Sequence, residues 1–190
     1  MALSPSFWFT QSGPVTTEIT PAMWDGDTSK WTLSGNDASK TESSTPDFSN
    51  IRIKHATAPV LDGDFTWTYT QVGNGGGNTD SSYGFYDISE DSTFASQAYQ
   101  QGMNSMSASY YINMDGGLTF QTVEDGTVLA SSISFSTNDT FKWQRTGTSL
   151  KWFINDTEKE EWTSVSATLR FCASGFTPNA ANIADITCVT

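Results

Sequence analysis

Hydrophobic and polar positions alternate with period two along most of the chain. Between residues 141 and 155, Phe141, Trp143 and Arg145 alternate with Lys142, Gln144 and Thr146. Leu150, Trp152 and Ile154 then alternate with Lys151, Phe153 and Asn155, with Thr-Gly-Thr-Ser joining the two runs. Successive strand side chains point to opposite faces, so this pattern predicts a β-hairpin whose Phe141, Trp143, Leu150, Trp152 and Ile154 share one buried face. Residues 48–54 place Ile51 and Ile53 inward and Asn50, Arg52 and Lys54 outward, and residues 65–70 set Phe65, Trp67 and Tyr69 against Thr66, Thr68 and Thr70. Further strands are expected at 31–34, 83–88, 107–114, 118–123, 128–135, 167–173 and 182–189. Asp115-Gly116-Gly117 and Glu124-Asp125-Gly126 supply the positive φ of tight turns between them. Residues 90–105 are the one stretch with room for a helical turn, with Phe94, Tyr99 and Met103 near helical spacing. About a dozen short strands without a long helix predict an all-β sandwich or barrel.

Composition narrows the picture. Apolar residues make up 36% of the 190 residues and charged ones 16%, with seven Trp and twelve Phe; that aromatic content excludes a disordered chain. One large domain of this length needs no metal or disulfide to be stable. The net charge of −12 arises without any basic run, which argues against nucleic acid as a partner and suits a soluble protein in a salty or extracellular setting. No run of about 18 apolar residues is present for membrane insertion, and the first residues lack the charged start and apolar core of a signal peptide. Cys172 and Cys188 are the only cysteines, too few for a disulfide framework or zinc site. They are expected as buried free thiols, with a mutual disulfide as the rival. Residues 1–23 are expected to form an N-terminal arm that docks by Phe7, Trp8 and Phe9, and residues 24–190 a single sandwich.

The order of features resembles the concanavalin A-like lectin/glucanase jelly roll. The resemblance rests on residues 65–70, 83–88, 110–114, the hairpin from Phe141 to Asn155 and its following charged link, and the late strands at 169–173 and 183–187. It implies two antiparallel sheets with the last strand returning beside the first. The fold hosts lectins, glycan-binding modules, hydrolases and structural domains, so it does not name a function. Laminarinase-type members carry Glu-x-Asp-x-x-Glu on one strand, which lets alternate carboxylates converge on the bond being cut. Asp87-Ile88-Ser89-Glu90-Asp91 lacks the leading Glu.

Other chemistry is sparse. His55, the only histidine, has no nucleophile elbow near it, and no catalytic residue is expected. No metal site or cofactor is expected; calcium is the one weak alternative. Asp25, Asp27 and Ser29, or Asn78 with Asp80, offer alternating oxygens, yet Lys30 and Asn36 stand where an EF-hand needs its glycine and bidentate Glu. Sugar binding asks only for an aromatic face beside amides or carboxylates. Its candidates are Trp24 with Asp25, Tyr83 after Asn78 and Asp80, Tyr99 among glutamines, and Trp162 in an acidic turn; the competing reading of each ring is a core cap.

Three expectations follow. The first is a non-enzymatic virion structural protein, such as a capsid decoration, fibre or tail-associated component of a phage or other virus. It would be held by other virion proteins or by copies of itself and found in the virion or outside cells. The second is a lectin-like module recognising host-surface glycans. Glycoside hydrolysis is a minor third.

Overall fold

The computed structural model describes residues 13–41, 49–54, 59, 61–73, 81–96, 106–165, 168–175 and 182–190. Fifteen strands run through these residues: β1 (Thr16–Glu18), β2 (Trp24–Gly26), β3 (Trp31–Ser34), β4 (Asp37–Lys40), β5 (Ser49–Ile53), β6 (Phe65–Gln71), β7 (Ser81–Asp87), β8 (Ser109–Gly116), β9 (Thr119–Glu124), β10 (Thr127–Ser134), β11 (Asp139–Thr146), β12 (Ser149–Ile154), β13 (Thr157–Trp162), β14 (Leu169–Gly175) and β15 (Asn182–Val189). The only α-helix among them, α1 (Asp91–Ser96), follows a 3-10 turn at Ile88–Glu90.

The strands form two sheets. The first runs β13-β12-β11-β6-β15-β4-β3, with β1 also on β15; the second runs β10-β9-β8-β7-β14-β5-β2. Every pairing is antiparallel. The hairpin expected at residues 141–155 is β11–β12, with Trp143 opposite Trp152 and Phe141 opposite Ile154. All four side chains are buried.

Alternation decides which side chains meet between the layers. Phe65, Trp67 and Tyr69 of β6 face Tyr83 and Phe85 of β7 and Phe171 of β14. Trp67 stacks on Phe171 with ring centres 4.5 Å apart, and Phe65 meets Phe85 at 5.1 Å. Toward the β12–β13 edge, Trp143 stacks on Trp162 at 5.4 Å and Phe120 meets Trp152 edge-on at 6.1 Å. Rings of this size each remove roughly 150–250 Å² from water, so the interlayer aromatics supply the dominant drive for the two sheets to close on each other.

The N-terminal boundary differs from the expectation. Thr16–Glu18 pair with Val189, Cys188 and Thr187 of β15, and Ile19 is fully buried in the interlayer core. Residues 16–19 therefore belong to the sandwich, because β15 has a free edge that β1 completes. Phe7, Trp8 and Phe9 lie outside the described residues. Both cysteines are buried free thiols. Cys188 sits between the layers and Cys172 in a separate cluster on the far face of the second sheet, so the two do not pair.

Candidate functional site

The inward set of the second sheet fixes its outward set. Ile51, Ile53, Tyr83, Phe85, Ile112, Phe120, Phe171 and Ala173 all join the interlayer core. Their neighbours Asn50, Arg52, Ser82, Gly84, Tyr86, Tyr111, Asn113, Gln121, Arg170, Cys172 and Ser174 thus project from the outer face. The register arranges them in rows across the strands. In the first row Asn50 lies opposite Ser174, Ser174 opposite Ser82, Ser82 opposite Asn113, and Asn113 opposite Gln121. In the second, Arg52, Cys172, Gly84, Tyr111 and Val123 follow one another, flanked by Asp25 on β2. In the third, Arg170 faces Tyr86, which faces Ser109.

The first row holds only hydroxyls and amides. Ser82 Oγ bonds to Asn113 Oδ1 at 2.9 Å, which leaves the Asn113 amide N–H groups to point elsewhere. Ser82, Asn113 and Gln121 are half-buried. Ser174 is 2% exposed, and its hydroxyl has no hydrogen-bond partner. It shares that state with the Trp67, Trp143 and Trp152 indole N–H groups of the interlayer core, so it reports local packing and not an open contact point.

The second and third rows are roofed by residues 88–96. Asp87 starts that segment by accepting from the Ser89 N–H at 2.8 Å. Asp91 then lies between two arginines: its Oδ2 meets Arg170 Nη2 at 2.9 Å, and its Oδ1 accepts from Arg52 Nη1 at 3.2 Å and from the Tyr86 hydroxyl at 2.8 Å. Phe94 lies parallel on Tyr86 with centres 5.2 Å apart, and the Arg52 guanidinium sits 5.1 Å over Phe94. Phe94 of this roof forms one buried cluster with Tyr86, Tyr111, Val123, Cys172 and Met106. Burial, the largest influence on each, pushes the Tyr86 phenol and the Cys172 thiol well above their usual ranges. Tyr86 therefore remains a donor to Asp91 at neutral pH.

Three of the four aromatic residues expected to stack on sugar are not on this face. Trp24, Tyr83 and Trp162 are 2%, 0% and 1% exposed and belong to the interlayer core. Each sits at an inward position of its strand, so its ring offers no free surface. Asp25 is exposed but spends its carboxylate on the Gly26 N–H at 2.8 Å and on Arg52 at 3.5 Å. Asn78, Asp80, Tyr99 and His55 lie outside the described residues. The acidic run near residue 90 is spoken for: Asp87 caps, Glu90 bonds Ser107, and Asp91 holds the arginines. Across β7, the outward positions carry Ser82, Gly84 and Tyr86, with no carboxylate. Among the described residues no three His, Cys, Asp or Glu side chains gather as a metal site, so the calcium alternative gains no donor set there.

Similar solved structures place this architecture. The chain is similar to the metal-free Emp46p carbohydrate recognition domain, at TM-score 0.61 and 13% identity over 88% of each chain. It is similar to the VIP36 exoplasmic/lumenal domain in its Ca2+/Man3GlcNAc-bound form, at 0.60 and 14% over 92% of this chain and 86% of that one. The Crh5 transglycosylase in complex with NAG matches at 0.59 and 11% over 94% and 83%. The fold is a concanavalin A-like jelly roll. No protein-family model and no curated protein sequence matches the chain. The jelly-roll neighbours include both carbohydrate recognition domains and glycan-cleaving enzymes, so the residues on the face, and not the fold, must separate binding from catalysis.

The row residues escaped sequence reasoning because single Ser, Asn and Gln side chains at outward positions are ordinary. Only the strand register assembles Asn50, Ser174, Ser82, Asn113 and Gln121 into a line. The outward phase of Asn50 and Arg52 was readable in residues 48–54.

Proposed function

We propose that the protein is a non-catalytic carbohydrate-binding module that engages neutral glycans on the outer face of its second sheet, in an extracellular or lumenal setting. The observation that carries this reading is the uncharged row from Asn50 to Gln121, whose half-buried Ser82, Asn113 and Gln121 present hydroxyl and amide groups on the outer face. Sugar hydroxyls both donate and accept, and amides and hydroxyls answer both roles. The row spans five strands spaced about 4.8 Å apart, so it is on the order of 19 Å long, which suits a short oligosaccharide. Carbohydrate recognition domains among the similar structures support the class. The absence of a carboxylate from the row supports binding without cleavage, because glycosidic hydrolysis needs an acid and a second carboxyl group on the two sides of the bond.

The test is isothermal titration or array binding with neutral oligosaccharides, comparing the wild type with Gln121→Ala and Asn113→Ala. Each variant should bind about tenfold more weakly, the loss of roughly one hydrogen bond in a desolvated site, while its melting temperature stays unchanged. No binding to any neutral oligosaccharide at high micromolar concentration sinks the reading, and equal binding by both variants moves the site elsewhere. Release of reducing ends from a glucan would replace binding by hydrolysis. The virion expectation drew on composition and on the aromatic arm with Phe7, Trp8 and Phe9, which lies outside the described residues, and no described residue adds to it.

A further inference from the structure

We propose that Asp91 is a positioning residue for the glycan-binding face: its carboxylate clamps residues 88–96 onto the sheet and confines ligand to the uncharged row. This inference rests on the binding reading above. The Asp91 side chain reaches three groups of the sheet, Arg52 on β5, Arg170 on β14 and Tyr86 on β7. Arg52 Nη1 also donates to the Asp91 backbone carbonyl at 3.2 Å, so the clamp holds main chain as well as side chain. Phe94, one helical turn on, lies flat on Tyr86. The arginine side chains are 15% and 9% exposed, and charge-assisted bonds in such a partly dry setting are stronger than surface pairs.

The clamp decides what the face presents. Adjacent rows are two residues apart along each strand, roughly 6.6 Å. With residues 88–96 docked, the roof stands one row from Ser174, Ser82 and Asn113, lies on Tyr86 and Arg52, and joins Tyr111 and Cys172 in one buried cluster through Phe94. A ligand then meets hydroxyls and amides beside a wall. Without the clamp the same ligand would meet a wider floor that includes two tyrosine rings, which favour stacking and discriminate less between hydroxyl patterns. Asp91 thus acts on specificity through the wall, without needing to touch sugar itself.

Cys172 makes the clamp measurable, since it lies under the roof while Cys188 lies between the layers. In Asp91→Ala, modification of Cys172 by a small thiol reagent in the folded protein should accelerate at least tenfold, with Cys188 unchanged. Affinity for the neutral oligosaccharides bound by the wild type should fall at least tenfold, and the array profile should broaden. Asp91→Asn, which keeps a single acceptor oxygen, enough for Arg170 or for Arg52 and Tyr86 but not for both sides, should lie between the two on both readouts, and it carries the test if the alanine variant does not fold. Unchanged Cys172 reactivity overturns the clamp, as does parallel acceleration of both cysteines, which reports general loosening. Raised Cys172 reactivity with an unaltered glycan profile overturns the positioning role. If the wild type binds no glycan, the binding reading fails on its own and the positioning role falls with it, whereas cysteine reactivity still decides whether the clamp exists.

Discussion

Gly84 offers the sharpest test of how closely the second sheet is packed. It lies in the middle of β7, between Cys172 on β14 and Tyr111 on β8. A Cβ added there would stand 2.3 Å from the Tyr110 carbonyl oxygen, 2.5 Å from Tyr111 Cα and 2.6 Å from Tyr111 Cβ. Two of these are backbone atoms of the neighbouring strand, so no rotamer change relieves them. β7 and β8 would have to part by more than half an ångström at the centre of a ladder whose spacing is set by its hydrogen bonds. Overpacking of this kind costs about 1–3 kcal/mol, and weakening one or two ladder bonds adds about 1 kcal/mol each. Gly84→Ala should therefore destabilise by roughly 2–5 kcal/mol, a large share of the stability of a domain this size. At about 2–4 °C per kcal/mol, the melting temperature should drop by roughly 4–20 °C, read by calorimetry and by the urea midpoint. Gly63→Ala, where an added Cβ meets nothing within 4 Å, is the control and should be near neutral. A Gly84→Ala protein melting within 2 °C of wild type would refute the claim that this glycine is held by close strand approach.

Ile19→Ala should cost about 2–5 kcal/mol in urea denaturation, because Ile19 is fully buried and its loss leaves a cavity; a neutral result would return residues 16–19 to a detachable arm. Trp143→Ala should cost at least 3 kcal/mol, since its ring is fully buried against Trp152 and Trp162, and retention of the wild-type melting curve would contradict the interlayer stack. The Glu124 carboxyl is held above its usual range, first by burial and then by the Asp125 and Glu160 charges. In the folded state its charged form is the disfavoured one, so this contribution to stability is intact below the unfolded pKa near 4.3 and declines as pH rises through the higher folded value. Glu124→Gln should remove that decline, a gain under about 1 kcal/mol at pH 7 for a half-buried group, seen as a flatter melting temperature between pH 4 and 7; an unchanged slope would count against it.

Period-two alternation alone determined the class of this protein. Phe65-Thr-Trp-Thr-Tyr-Thr has one physical solution, a strand with aromatics on one side, and the same holds for Phe141 to Ile154, whose two tryptophans share one buried face as expected. Hairpin turns at Gly117 and Gly126 were readable because a positive φ, here 63° and 77°, suits glycine. The close backbone approach at Gly84, by contrast, emerges only from the structure.

What alternation leaves open is which of two faces an aromatic serves. Trp24, Tyr83 and Trp162 lie near turns with polar neighbours and so resembled sugar platforms, but strand phase turns all three rings inward. Tertiary structure decided the rest, because the row across β5, β14, β7, β8 and β9 joins residues up to 124 positions apart, Asn50 and Ser174 among them. The Asp91 clamp joins Arg52, Tyr86 and Arg170 in the same way. Local sequence sets the side on which each residue emerges, through the pleat of its own strand. Long-range pairing sets which residues stand beside it, because the register between distant strands is chosen by the packing of the whole core and by no short stretch of chain.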